Sequence, residues 1–177
     1  MTIKLKSRAW RVRLLILSLS LVGTMANATA QELKEMAKRQ AIVDTLAQYS
    51  YRWDSKDSTG FANLFTDNGV MERWVLGELV EGSRVQGRQA ILDYATRSHQ
   101  GRLADRQTRH HFSGIIFIEL NEDTAITENM ALITHQTAND PAAFISSSGI
   151  YKISWQKTPQ GWFINKRILM TDRFPDQ

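Results

Sequence analysis

Four histidines, one well-placed aspartate and a few tyrosines are the residues of this 177-residue chain that could do acid–base chemistry. Two of the histidines, His110 and His111, adjoin in "QTRHHFSG" at 107–114, just ahead of the apolar run 115–118. The other two are His99 and His135. Neighbours on a strand point to opposite faces, so only one of His110 and His111 can face a core. If His110 faces inward, strict alternation carries Phe112, Gly114, Ile116 and Ile118 inward and sends His111 outward with Arg109, Ser113 and Glu119. The inward set is then apolar and the outward set mostly polar, although Ile115 and Phe117 blur the contrast. A histidine titrates near neutrality and can take and return a proton. A carboxylate behind it would fix the tautomer and stabilise the imidazolium. The natural candidate is Asp54, at the end of an early helical stretch, where it meets the negative end of the helix dipole and needs a partner if buried.

His135 ends a strand and reads either as a second acid–base group or as a loop residue. Tyr151 shares parity with Ile153 and Trp155; its phenol would donate to a substrate oxygen or support the core. Tyr49, on the helix stripe, reads as core or pocket wall. Trp74, Trp155 and Trp162 read most economically as core aromatics. Arg167 and Arg173 read as solvated, and His99 as a surface residue at a helix end. Two histidines and an aspartate could also form a metal triad, but no short H-x-H or H-x-x-E pairing supports one. No metal and no cofactor are therefore expected.

The elements that must position these groups divide the chain in two. Residues 31–54 read as a helix, with Ile42, Leu46, Tyr49 and Trp53 forming one apolar stripe. "FANLF" follows Gly60 as a short helix, "DNG" at 67–69 reads as a turn, and "VMERWVL" as a strand. "GRQAILDYATRSH" reads as a helix with Ile91, Leu92 and Ala95 inward. The C-terminal half holds four long β-rich runs, "HFSGIIFIEL", "TAITENMALITHQT", "AAFISSSGIYKISWQK" and "GWFINKRILMT". They are separated by the turn residues "NED", "NDP" and "TPQG". Helices followed by an antiparallel meander make an α+β fold, in which a helix covers a curved sheet and leaves a ligand pocket between them.

The first thirty residues stand apart. Lys4, Lys6, Arg8, Arg11 and Arg13 precede the apolar "LLILSLSLVGTM", and Ala28-Thr29-Ala30 fits a signal-peptidase site. The expected domains are a signal peptide at 1–30 and an α+β cone domain at 31–177, in a periplasmic or secreted protein. Five of the chain's 22 basic residues fall in that leader, which has no acid, against 18 acidic residues in all. The remainder carries a net charge of −1, so the whole-chain pI of about 9.5 gives no reason to expect nucleic acid. After cleavage no membrane association is expected. There is no cysteine, so disulfides and thiol chemistry are excluded.

The order of "YSYRWDSKDSTGFANLFTDNGV", "GRQAI", "TRHHFSG" and "GIYKISW…GWFINKR" resembles the SnoaL-like group of the nuclear-transport-factor-2-like superfamily, over essentially all of 31–172. The resemblance implies a cone-shaped α+β barrel with N-terminal helices packed on a curved antiparallel sheet. Among the superfamily's enzymes, scytalone dehydratase gives the nearest local echo: "WDSKD" at 53–57 is similar to its "YDSKD", and "TRHHF" at 108–112 to its "TQHF". By that match His110 stands at a catalytic histidine, Asp54 at the aspartate that orients it, and His135, 25 residues on, near a second histidine. Trp53 replaces a tyrosine, no tyrosine lies near Trp74, and Tyr151 replaces an asparagine. The carbonyl-polarising half of that site is not reproduced, so scytalone is not the expected substrate. What the resemblance implies is a cofactor-independent dehydratase-, isomerase- or cyclase-like enzyme acting on a small hydrophobic oxygenated molecule. His110, Asp54, His135 and Tyr151 would be catalytic, and Tyr49, Trp53, Phe112 and Trp74 would line the pocket. The other expectation is a non-catalytic ligand-binding or assembly module of the same fold. A homodimer or homotrimer built on the outer sheet face fits either, with Ile115 and Phe117 marking the interface.

Overall fold

The computed structural model describes the backbone of residues 7–173 and the side chains of residues 29–173. Helix α1 runs Ser7–Asp54. It starts well before the expected position 31, and no proline interrupts the leucine-rich stretch upstream. The backbone is helical across Ala28–Gln31, and the side chains of most of the expected leader lie outside the described residues. Among the described residues no helix is long and apolar enough to cross a membrane.

The chain divides into two units, Met1–Gln40 and Ala41–Gln177. In the first, the side chains from 29 on are mostly exposed, and Arg39 pairs with Glu35 one turn earlier at 2.7 Å. The second holds every candidate residue. Its stretch of α1 buries the expected stripe Ile42, Leu46, Tyr49 and Trp53. The helix stops in a Schellman arrangement, in which Asp57 N–H donates to the Arg52 carbonyl at 2.8 Å and Lys56 N–H to that of Trp53 at 3.0 Å. Lys56 takes the left-handed conformation at φ 62°. That stop leaves Asp54 in the final helical position.

Helix α2 (Ser58–Ala62) starts with the Asp57 side chain accepting from Gly60 N–H at 2.8 Å. It precedes strand β1 (Phe65–Val75), the two-residue strands β2 (Glu78–Leu79) and β3 (Val85–Gln86), and helix α3 (Arg88–Gln100). Strands β4 (Arg106–Leu120), β5 (Thr124–Thr137), β6 (Phe144–Thr158) and β7 (Gly161–Thr171) then form the meander. The sheet order is β2-β1-β7-β6-β5-β4, with β3 also on β1. The α+β cone expectation holds, but the sheet is mixed: β1 lies parallel to β7. The long connection through α3 and the meander allows that parallel pairing, which no hairpin could make. "DNG" is not a turn between elements. It lies inside β1, where the register to β7 shifts between Phe65 and Val70, so its turn chemistry serves a bulge.

Bulges also correct the alternation expected along β4. Gly114 sits at φ 60°, and the register to β5 shifts between Ser113 and Ile116 and again between Phe117 and Glu119. One extra residue turns the following side chains to the other face. Before the shift, Thr108, His110 and Phe112 face inward; after it, Ile115 and Phe117 pack on the core, while Ile116 and Ile118 are exposed. Ile115 and Phe117 are therefore not the outward residues.

The core of the second unit gathers Phe61, Phe65, Ile91, Ile153, Trp155 and Ile164, each 0–1 % exposed. Trp155 donates to Thr127 Oγ1 at 2.8 Å, which satisfies both buried polar groups. Gly149 lets β6 approach β7 closely: a Cβ there would meet the Met170 carbonyl oxygen at 2.1 Å. Backbone cannot yield as a side-chain tip can. Gly149→Ala should therefore cost about 1–3 kcal/mol of stability, read as a lower urea midpoint. An unchanged midpoint would show that the strands can separate locally without cost.

Candidate active site

Three donors converge on the carboxylate of Asp54. Thr108 Oγ1 donates to Oδ1 at 2.7 Å, His110 N–H to Oδ2 at 2.8 Å, and His110 Nδ1 lies 2.8 Å from Oδ1. The main-chain carbonyl of Asp54 accepts from Gln107 Nε2 at 3.0 Å. Three residues of β4, Gln107, Thr108 and His110, thus close the end of α1. Both side chains of the Asp54–His110 pair are less than a tenth exposed. Burial alone would raise the carboxyl's pKa, but the hydrogen bonds from His110 and Thr108 outweigh it and hold the acid below its ordinary value. An ionised carboxylate only accepts, so the proton between them sits on Nδ1, and Nε2 carries the free lone pair.

His110 forms part of the wall of a cavity of about 540 Å³, with Tyr49, Trp53, His135, Tyr151 and Arg167. Tyr49, on α1, neighbours both His110 and Tyr151, its ring centroid 6.2 Å from that of His110 and 5.7 Å from that of Tyr151. Burial raises the pKa of both phenols, Tyr151 the more strongly, so both stay neutral donors. Burial lowers the pKa of His135, and Arg106 and Arg102 push it the same way, so this histidine favours the neutral form. The sequence candidates His110, His135, Tyr151, Tyr49 and Trp53 therefore meet at one cavity. Asp54 stands behind His110 and positions it without lining the cavity.

Two pocket candidates fall elsewhere. Phe112 packs its ring 6.0 Å from that of His110 and 5.2 Å from that of Tyr151, but opens onto a separate recess beside α1. Trp74 is half-buried outside the core cluster and the cavity wall, and its indole N–H donates to Glu72 Oε2 at 2.9 Å. His111 is exposed as expected, with Nε2 at 3.3 Å from Thr134 Oγ1.

Three residues differ from or escape the sequence reading. His99 is buried, not on the surface: its Nδ1 lies 2.7 Å from Ser58 Oγ and its ring 4.7 Å from that of Trp53, because the last turn of α3 packs against α2 and the end of α1. Arg167 is 9 % exposed, not solvated. Counting by twos from Trp162 and Ile164 predicts the opposite side, but the register between β6 and β7 slips between Ile164 and Lys166 and brings Arg167 inward. Glu72 was not singled out. It is 2 % exposed and is held by Arg84 at 2.6 Å and Lys166 at 2.9 Å. Burial raises its pKa, but the bonds from Lys166 and Trp74 bring it below the ordinary value. No local pattern marks these residues, since each is buried by a partner distant in sequence. Among the described residues no group of three or more acidic or histidine side chains is placed to hold a metal ion.

Removing the Asp54 carboxylate strands three donors. Asp54→Ala should lower stability by about 1–3 kcal/mol at pH 7. The wild type's pKa is depressed on folding, so this contribution is present above the ordinary aspartate value of 3.8 and is lost as pH falls through the folded value. Urea titrations at pH 7 and pH 3 should show a narrower gap at the lower pH. An equal or wider gap at pH 3 contradicts an ionised Asp54.

Among curated proteins no sequence matches the chain significantly. Solved structures do. An NTF2-like protein with a cystatin-like fold from Novosphingobium aromaticivorans aligns with a TM-score of 0.66 at 21% identity, over 80% of this chain and 86% of that one. A candidate beta subunit of an aromatic-ring-hydroxylating dioxygenase from the same organism gives 0.67 at 18% identity, over 81% and 94%. ActVI-ORFA from Streptomyces coelicolor gives 0.65 at 16% identity, over 76% and 96%. At these identities the likeness is one of fold. This chain's α+β cone is similar in fold to the NTF2-like structure, the model of the SnoaL-like domain matches residues 34–168, and the chain belongs to that family.

Proposed function

We propose that this chain is a cofactor-independent lyase or isomerase acting on a small hydrophobic, oxygenated molecule. The observation that carries the reading is the Asp54–His110 hydrogen bond beside a cavity that also holds His135 and Tyr151. With Nδ1 protonated against Asp54, Nε2 of His110 takes a proton from carbon next to a carbonyl. The imidazolium that forms stays bonded to the carboxylate, which stabilises the new charge. His135 or Tyr151 then serves the departing oxygen. Positioned acid–base catalysis of this kind contributes about 10²–10⁴-fold in rate.

The test does not require the physiological substrate. Exchange of carbon-bound protons with heavy water, followed by NMR over a panel of cyclic β-hydroxy ketones, detects proton abstraction. Appearance of the conjugated ketone detects dehydration. His110→Ala should remove both activities with the fold intact, and Asp54→Asn should slow them about 10²-fold or more. Undiminished exchange in His110→Ala would sink the proposal.

A second reading is an assembly or ligand-binding module. One observation favours it: Met130, Leu132, Ile145 and Ile150 are exposed on adjoining strands β5 and β6, with Ile116 and Ile118 nearby on β4. A homodimer or homotrimer would cover such a face. Export rests on the leader described above. Expression in a bacterial host should yield a periplasmic form beginning at Gln31, read by intact mass. A cytoplasmic full-length chain would remove the export reading.

A further inference from the structure

Arg167 is a buried cation that no carboxylate among the described residues pairs with. Nη1 donates to the main-chain carbonyl of Glu72 at 2.9 Å, and Nη2 lies 3.2 Å from Met71 Sδ. Nε is buried with no hydrogen-bond partner. The Glu72 carboxylate, the nearest candidate on the neighbouring strand, is occupied by Arg84, Lys166 and Trp74. The guanidinium carbon lies 5.5 Å from the Tyr151 ring centroid, a cation–π contact that offsets only part of the desolvation. A guanidinium is a planar donor fork suited to a delocalised oxyanion, and this one belongs to the cavity wall. A chain of rings connects it to the base: Tyr151 to Tyr49 at 5.7 Å and Tyr49 to His110 at 6.2 Å. Base and guanidinium therefore bracket one cavity with two neutral phenols between them.

We propose that Arg167 binds the substrate's carbonyl oxygen and holds it as an oxyanion, so that the substrate class is a ketone or thioester with a proton on the adjacent carbon. This inference rests on the acid–base reading above and deepens it. The C–H bond breaks and its proton goes to His110 Nε2. The bonding pair forms the new C=C bond, and the carbonyl π pair moves to the oxygen against Arg167. In a β-hydroxy substrate that oxygen returns its pair to restore the carbonyl, the C=C pair moves to form the double bond between the α and β carbons, the β C–O bond breaks, and the hydroxyl leaves as water with the proton that His110 Nε2 took. Arg167 thus fills the carbonyl-polarising role that the sequence comparison left open. The other titratable and charged groups around the cavity are Tyr49, Tyr94, Tyr151, His110, His135, Arg73, Arg102, Glu72 and Glu81.

The probe is 4-nitrophenol, a stable oxyanion whose ionisation is visible by absorbance. A cation beside an acid lowers its pKa by about 1–3 units. Bound to the wild type, the phenol should titrate at least about one unit below the free compound, a tenfold preference for the anion. In Arg167→Met the shift should vanish; in Arg167→Lys, which keeps the charge and loses the planar fork, part of it should remain. His110→Ala should keep it. Should Arg167→Met fail to fold, the comparison of Arg167→Lys with wild type and His110→Ala decides. A wild type that fails to bind the probe at millimolar concentration, or binds it without a shift, overturns the proposal. So does a shift that Arg167→Met retains, that Arg167→Lys leaves undiminished, or that His110→Ala removes. A retained shift with no proton exchange in any ketone would leave the oxyanion site standing while the acid–base reading failed.

Discussion

A carboxylate at the C-terminus of a helix is in the wrong field. The unpaired carbonyls of the last turn repel it, and burial deepens the cost. Asp54 is held there only because β4 brings three donors to it and a fourth to its own carbonyl. That set of bonds joins helix to sheet and sets the tautomer of His110 at the same time. The orientation of the candidate base is therefore a by-product of an electrostatic problem at the helix end. The Schellman stop at Lys56 matters for the same reason, since one further turn of helix would commit the Asp54 carbonyl to an intrahelical bond and take it from Gln107.

The far wall of the cavity solves a second problem of buried charge. Parallel pairing of β1 with β7 puts Glu72 beside Ile168 and Met71 beside Arg167. The carboxylate of Glu72 is neutralised from one side by Lys166 and Arg84, while its main-chain carbonyl receives Arg167. Acid and guanidinium lie on adjacent strands without pairing, which leaves positive charge in the cavity wall. Tyr49 and Tyr151, both kept neutral by burial, fill the space between that charge and His110.

Much of the architecture was legible because it rests on local rules. The stripe Ile42, Leu46, Tyr49 and Trp53 follows from helical period, and it buries as read. The bounds of β5 and β7 follow from turn residues at their ends. The inward side of His110 follows from parity with Phe112, and the divergence of His111 from the same rule. Where the chain inserts one residue, parity fails. Gly114 reverses the faces of Ile115 to Ile118, and the slip around Asn165 brings Arg167 inward. A bulge depends on which strand lies alongside, and a single strand's sequence does not record its neighbour.

The amino-acid sequence by itself determined which residues could do chemistry, the apolar faces of the helices and of the strands away from their bulges, and the pairing of Asp54 with a histidine as a chemical need. It did so because helical and strand periods are properties of the local backbone, and because an acid beside a base is readable as residue type. Tertiary structure decided the rest. It turned Phe112 toward another recess and Trp74 toward Glu72, drew His99 under α2, and left Arg167 Nε buried with no hydrogen-bond partner among the described residues. Each of these depends on long-range register and on which charges meet across strands, quantities that exist only once the chain has closed on itself.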